Sequence, residues 1–168
     1  MNHDEIMDFD ALDPARFRQV LSHYPTGVCA VTARLDDGEL AGMAIGSFTS
    51  VSLDPPLVAF FATTTSASWQ KIRSAGRFCV NVLSSGQEWL CRRFSSRDED
   101  KFHDVPHAIS CLGNPILEDV LATIECEIHS VIDAGDHSEV RGRVINLRAN
   151  DGLPLLFYQG KYGYFQSV

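Results

Sequence analysis

Apolar residues along this chain fall mostly into short blocks that alternate with polar positions or run unbroken, the patterns of β-strands. Helical spacing is confined to a few short stretches. Asp13-Pro14 supplies an N-cap and a proline at the first helical position, and Phe17, Val20 and Leu21 then recur at helical spacing, which predicts a helix to about Ser22. Tyr24-Pro25-Thr26-Gly27 breaks it. Val28 to Arg34 reads as a strand, and Asp36-Asp37-Gly38 is a hairpin signal. Gly42 to Leu53 reads as one long twisted strand stopped by Asp54-Pro55-Pro56, and Leu57 to Ala62 as a strand buried on both faces. Thr63 to Ser68 is a hydroxyl-rich loop opening a short helix through Trp69 and Ile72 that ends near Gly76. Phe78 to Leu83 is a further strand. Ser85 and Glu88 have capping-box spacing for a helix from Gly86 to about Phe94, followed by a surface loop from Ser95 to Pro106. Strands are predicted at Ala122–Ile132, Glu139–Arg148, Leu155–Tyr158 and Tyr162–Phe165, with turns at Ala134-Gly135-Asp136-His137 and Gln159-Gly160. Many strands with few short helices predict one barrel plugged by helices over residues 13–168, preceded by a loose tail over residues 1–12.

The stretch from Gly42 to Ser52 is dense in small and hydroxylated residues (Gly42, Ala44, Gly46, Ser47, Thr49, Ser50), which stabilise a strand poorly. Either a flat ligand approaches the backbone there, or two backbones cross at a barrel corner. The hydroxyls before Trp69, Ser66 and Ser68 among them, have two readings as well: helix caps, or a cradle for a phosphate at a helix N-terminus.

Composition narrows the class. At 168 residues with 45% hydrophobic and 21% charged residues, the chain suits one globular domain with its own core. A formal charge of −8 argues against nucleic acid as the main partner and against a basic membrane-binding patch. Five cysteines, an odd number without a Cys-x-x-Cys, read as free thiols in a reducing cytoplasm. No apolar run reaches membrane-spanning length, and the acidic start is unlike a signal peptide.

Few residues carry obvious chemistry. His103 and His107 have the spacing of metal ligands, but Pro106 interrupts any helix between them and no cysteine pair is near, so no metal site is expected. No glycine-rich nucleotide fingerprint or Walker loop occurs. His137, in a tight corner after Gly-Asp, is either an exposed turn residue or a functional one.

Taken together, Gly42-Met43-Ala44-Ile45-Gly46-Ser47-Phe48-Thr49-Ser50-Val51-Ser52-Leu53-Asp54-Pro55-Pro56, Phe78–Leu83, Gln87, Lys101-Phe102, Gly135-Asp136-His137 and Gly160-Lys161-Tyr162 resemble, in order and spacing, the short-chain flavin reductases. The resemblance runs from about Phe17 to Tyr164. It implies a mainly β, FMN-binding split barrel with short helices, normally a homodimer. It further implies hydride transfer from NADH or NADPH to FMN or FAD, and delivery of diffusible reduced flavin to a partner monooxygenase. By position, Ala44, Ile45, Gly46, Ser47, Phe48, Thr49 and Ser50 would line the isoalloxazine and ribityl chain. Ser66 and Ser68 would meet the phosphate, while Asn81, Val82, Leu83, Lys101 and Phe102 complete the pocket. His137 would stand beside the nicotinamide, with Tyr162 near the same cleft. Many relatives carry threonine or serine where this chain has Ala44 and Gly46. Two other readings use the same barrel: an electron carrier or sensor without NAD(P)H turnover, and a reductase or oxidase holding flavin as a prosthetic group.

Overall fold

The structure is a computed structural model and describes residues 13–167; the tail expected over residues 1–12 lies outside them. Its elements run α1 (Pro14–Leu21), β1 (Thr26–Gly27), β2 (Cys29–Arg34), β3 (Leu40–Ile45), β4 (Thr49–Leu53), β5 (Pro56–Thr63), α2 (Ala67–Ala75), β6 (Arg77–Val82), α3 (Glu88–Ser95), β7 (His107–Ile109), β8 (Pro115–Leu117), β9 (Ala122–Ala134), β10 (His137–Ala149), β11 (Leu155–Tyr158) and β12 (Lys161–Tyr164). Seven strands form one antiparallel sheet in the order β3-β2-β6-β9-β10-β5-β4. Strands β1, β11 and β12 make a second, smaller sheet, and β7 and β8 a hairpin.

The large sheet curls so that β3 comes back beside β5, yet its edges β3 and β4 share no ladder. The barrel is therefore split along a seam. The one long strand expected from Gly42 to Leu53 is divided there into β3 and β4 by Gly46-Ser47-Phe48, because the chain crosses from one sheet edge to the other. Ser47 stands in for a ladder partner: its hydroxyl accepts from the Phe61 amide at 3.0 Å and lies 3.2 Å from the Phe61 carbonyl.

Two apolar clusters hold the fold. Inside the barrel, Val31, Phe60, Phe78, Val80 and Val140 pack around Trp69 and Ile72, so α2 is the plug. Phe60 meets Trp69 and Phe78 edge-on at 6.0 and 5.3 Å. Outside, Val28, Ala30, Leu83, Leu90, Cys91, Phe94, Leu117 and Leu155 pack α3, β8 and β11 against the barrel wall. That second layer explains why β2 is buried on both faces. Strand β5, expected to be equally buried, leaves Phe61 39% exposed because nothing among the described residues covers its outer face there.

Two local expectations differ from the structure. Helix α3 starts at Glu88 with Gln87 as N-cap, and the Ser85–Glu88 capping box does not form. The Gln87 side chain instead accepts from the Ser84 amide and donates to the Glu118 carbonyl, while Glu88 pairs with Arg92. The β7–β8 hairpin lies in a segment without strong strand periodicity. It is held by tertiary bonds, the Thr32 hydroxyl donating to the Pro115 carbonyl at 2.6 Å and the Leu117 amide donating to Asn81.

All five cysteines are free. Burial pushes the thiols of Cys29 and Cys126 up to about 12 and raises that of Cys79 further, so all three stay protonated and act as small apolar side chains. No helix among the described residues is long and apolar enough to cross a membrane.

Candidate active site

Strand β3 lines two separate clefts, one at each of its ends, and they are built differently. At its C-terminal end Ala44, Ile45 and Gly46 face Thr26, Val28, Cys91, Ser95, Phe157 and Tyr162 across a narrow, mostly apolar cleft. At its N-terminal end Leu40, Ala41 and Gly42 open onto a polar groove rimmed by residues 65–68, Lys71, residues 96–99 and Lys101. Four residues of extended chain separate Gly42 from Gly46, about 13 Å. A planar ring at one end and a charged group at the other, joined by a flexible tether, fit that span.

Small residues do different work at the two ends of the strand. A Cβ on Gly46 would lie 2.9 Å from Thr26 Oγ1 and 3.7 Å from the Gly27 carbonyl, closing the apolar cleft. A Cβ on Gly42 would lie 2.4 Å from Phe94 Cε1 and 3.3 Å from Phe102, so glycine is what allows α3 and Phe102 to pack directly on β3. Phe94 and Phe102 meet edge-on at 5.2 Å.

The polar end is built around one cation. Lys101 Nζ donates to Ser68 Oγ at 3.0 Å, to the Phe94 carbonyl at 3.0 Å and to the Gly42 carbonyl at 3.3 Å. It makes no ion pair with a carboxylate among the described residues. Partial burial lowers its pKa from the ordinary 10.5, a strain that a bound anion would relieve. The ammonium sits against the start of α2, where Ser66 is the N-cap and its Oγ accepts from the Trp69 amide at 3.2 Å. Capping uses an oxygen lone pair, so the Ser66 proton remains available to donate. Both readings of this hydroxyl-rich loop are thus compatible in one residue.

At the apolar end Tyr162 Oη lies 3.3 Å from Cys91 Sγ, and the Arg92 guanidinium stands over the Tyr162 ring at 5.3 Å. The bond to Cys91 and partial burial push the phenol up to about 12, so it is a neutral hydrogen-bonding group.

His137 opens β10, after Gly135 at φ 67° turns the chain. Its ring is held from both sides, Nδ1 at 2.7 Å from Asp136 and Nε2 at 3.3 Å from Thr63 Oγ1. The contact with the imidazole lowers the Asp136 carboxyl below its ordinary value. Thr64 binds the Asp136 carbonyl through its amide and its hydroxyl, which ties the corner to the loop leading into Ser66. The histidine therefore lies outside the residues that line either cleft, tied to the polar one only through the 63–66 segment.

The structure brings Ala44, Ile45, Gly46, Ser66, Ser68, Lys101 and Tyr162 to these two clefts. It does not bring all the expected residues there. Asn81 is fully buried, donating to the Ala30 carbonyl and Thr32 and accepting from the Leu117 amide, so its side chain is spent on the β2–β8 junction. Leu83 is in the outer core, and Val82 and Phe48 pack against the barrel interior. Thr49 and Ser50 are exposed on β4, Ser47 bridges the seam, and Phe102 is half-buried beneath the floor. Thr26, Cys91, Ser95 and Phe157 line the cleft without having been expected. Thr26-Gly27 read as a chain break, and of the remaining three, Cys91 and Ser95 lie on α3 and Phe157 on β11, which only tertiary packing brings to β3.

A split barrel with small residues along β3, an apolar cleft at one end and, at the other, a lysine with no carboxylate partner among the described residues suits a flat ring that carries a phosphate. Comparison with known proteins agrees: the flavin reductase like domain matches residues 21–166. A flavin reductase of Pseudomonas putida is 55% identical over 159 residues, covering 94% of each chain. The reductase subunit HsaB of a flavin-dependent monooxygenase from Rhodococcus jostii is 49% identical over 154 residues, covering 91% of this chain and 78% of its own. Among solved structures, the NADH:FAD oxidoreductase SgcE6 of Streptomyces globisporus, in complex with NAD and FAD fragments, superposes with a TM-score of 0.87 at 33% identity over 94% of this chain and 97% of that one. The chain belongs to the flavin reductase-like family. It is an oxidoreductase that uses NADH and flavin.

Proposed function

We propose that this chain reduces free flavin with NADH and hands the reduced flavin to a partner monooxygenase, acting as a homodimer in the cytoplasm. The observation that carries the reading is the pair of clefts, one mostly apolar and one polar, at the two ends of β3. Bound flavin accepts a hydride at its ring and needs no strong acid or base from the protein, so the protein's task is placement. Ala44 to Gly46 offer main-chain groups and no bulk to a ring lying in the cleft, with Tyr162 as its wall. Ser66, Ser68 and Lys101 hold the phosphate through hydroxyl donors, the start of α2 and one positive charge. His137, fixed by Asp136 and Thr63, orients the incoming nicotinamide dinucleotide. Lack of hydroxyl side chains at positions 44 and 46 leaves flavin held mainly by backbone contacts and by its phosphate, which favours flavin as a substrate that leaves. The relatives described above include a monooxygenase reductase subunit, which supports such a partner. The dimer is supported by α1, which carries Phe17, Val20 and Leu21 at helical spacing yet has no buried residue. The free thiols support a reducing compartment.

The test is NADH oxidation by the purified protein with increasing FMN or FAD. A rate that rises and saturates with free flavin is the expected result. Flavin that copurifies and resists reduction by NADH would instead identify an electron carrier.

A further inference from the structure

The polar groove does not end at Lys101. It continues past Leu40 and Ala41 to Lys71 on α2 and Arg97 in the loop after α3. Lys71 lies three residues after Ser68, on the same helical face and one turn further along. One phosphate is already matched by Ser66, Ser68 and Lys101, so the two additional cations exceed what FMN needs. Arg97 makes no ion pair among the described residues, and Lys71 is bound by Glu39 at 2.6 Å. Both members of that pair are exposed, at 40% and 44%, so exchanging Glu39 for a phosphate costs little. The two carboxylates on the same rim are Asp98, drawn toward Arg93 at 3.5 Å, and Glu99. Half-buried Leu40 gives an apolar patch beside these charges, backed by Ala41 in the barrel core, against which a heterocycle can lie.

We propose that Lys71 and Arg97 form a second phosphate subsite that, over the Leu40 patch, takes the adenylate half of FAD and makes FAD the preferred flavin. The proposal rests on the flavin-reductase reading above. Glu39 is then a specificity-determining partner, occupying Lys71 until the second phosphate displaces it.

The experiment is a titration of FMN and FAD by flavin fluorescence on the wild type, on the Lys71→Gln/Arg97→Gln double variant and on Glu39→Gln, with the KM for NADH measured at fixed FMN. The wild type is expected to bind FAD more tightly than FMN. The double variant should lower the FAD-to-FMN affinity ratio by about tenfold, the size of one charge-assisted hydrogen bond lost, and Glu39→Gln should raise it. A wild type that prefers FMN, or a ratio that does not change in the double variant, overturns the proposal. So does a double variant whose main defect is a raised KM for NADH, which would assign these cations to the nicotinamide dinucleotide. A wild type that binds neither flavin overturns the underlying reading as well.

Discussion

Lys101 shows how one side chain can serve both packing and binding. Its ammonium gathers the carbonyls of Gly42 and Phe94 and the hydroxyl of Ser68, so it joins β3, α3 and α2 at one point. Its depressed pKa gives a pH signature with a definite sign. A phosphate binds the charged amine, so FMN affinity is full at neutral pH and falls as the pH rises through the lysine pKa, starting below the ordinary 10.5. The same shift acts oppositely on the unliganded fold. The buried ammonium opposes folding below the unfolded pKa, and rising pH relieves that penalty. Lys101→Gln should therefore weaken FMN by roughly tenfold and flatten its alkaline pH dependence. Riboflavin, which lacks the phosphate, should change little in the same fluorescence titration. Equal losses for FMN and riboflavin would mean that Lys101 only holds the three elements together.

Among the elements, β3 is where sequence and structure part most informatively. Its small residues and the Asp54-Pro55-Pro56 stop are visible in the sequence, and the resemblance they carry led to the right fold. The break at Gly46-Ser47-Phe48 is not visible, because crossing from one sheet edge to the other depends on Phe61, a partner fourteen residues away. Periodicity also placed α2 well, with Ser66 capping its start and Gly76 its left-handed end. It misplaced the cap of α3, where Gln87 binds chain far away in sequence. Asn81 looked like a pocket residue by position, yet its three bonds go to the core. The packing of α3 on β3 makes a sharp prediction. Gly42→Ala inserts a methyl 2.4 Å from Phe94, and overpacking of this kind should destabilise the fold by about 1–3 kcal/mol. The midpoint of a urea titration measures it, and an unshifted midpoint would show that Phe94 can move aside.

The whole molecule has an inside that is finished and an outside that is not. The barrel interior and the layer beneath α3 are well packed, whereas α1 exposes Phe17, Val20 and Leu21, and β5 exposes Phe61. The apolar side chains whose helical spacing predicts α1 stay uncovered among the described residues. A second copy covers them if the homodimer reading is right. Phe17→Glu should then shift the protein from dimer to monomer in sedimentation, with the barrel's circular dichroism retained. A dimer that survives the charge would place the contact elsewhere.

The bare floor at Ala44 and Gly46 has a kinetic meaning. Among closely related complexes, affinity is set mostly by how fast the partner leaves. On the proposed flavin reading, a ring that gains no hydroxyl bonds from these two positions dissociates sooner than one held by them. For an enzyme whose product must reach a second protein before oxygen does, a short residence time is an advantage, and two missing hydroxyls are a simple way to obtain it.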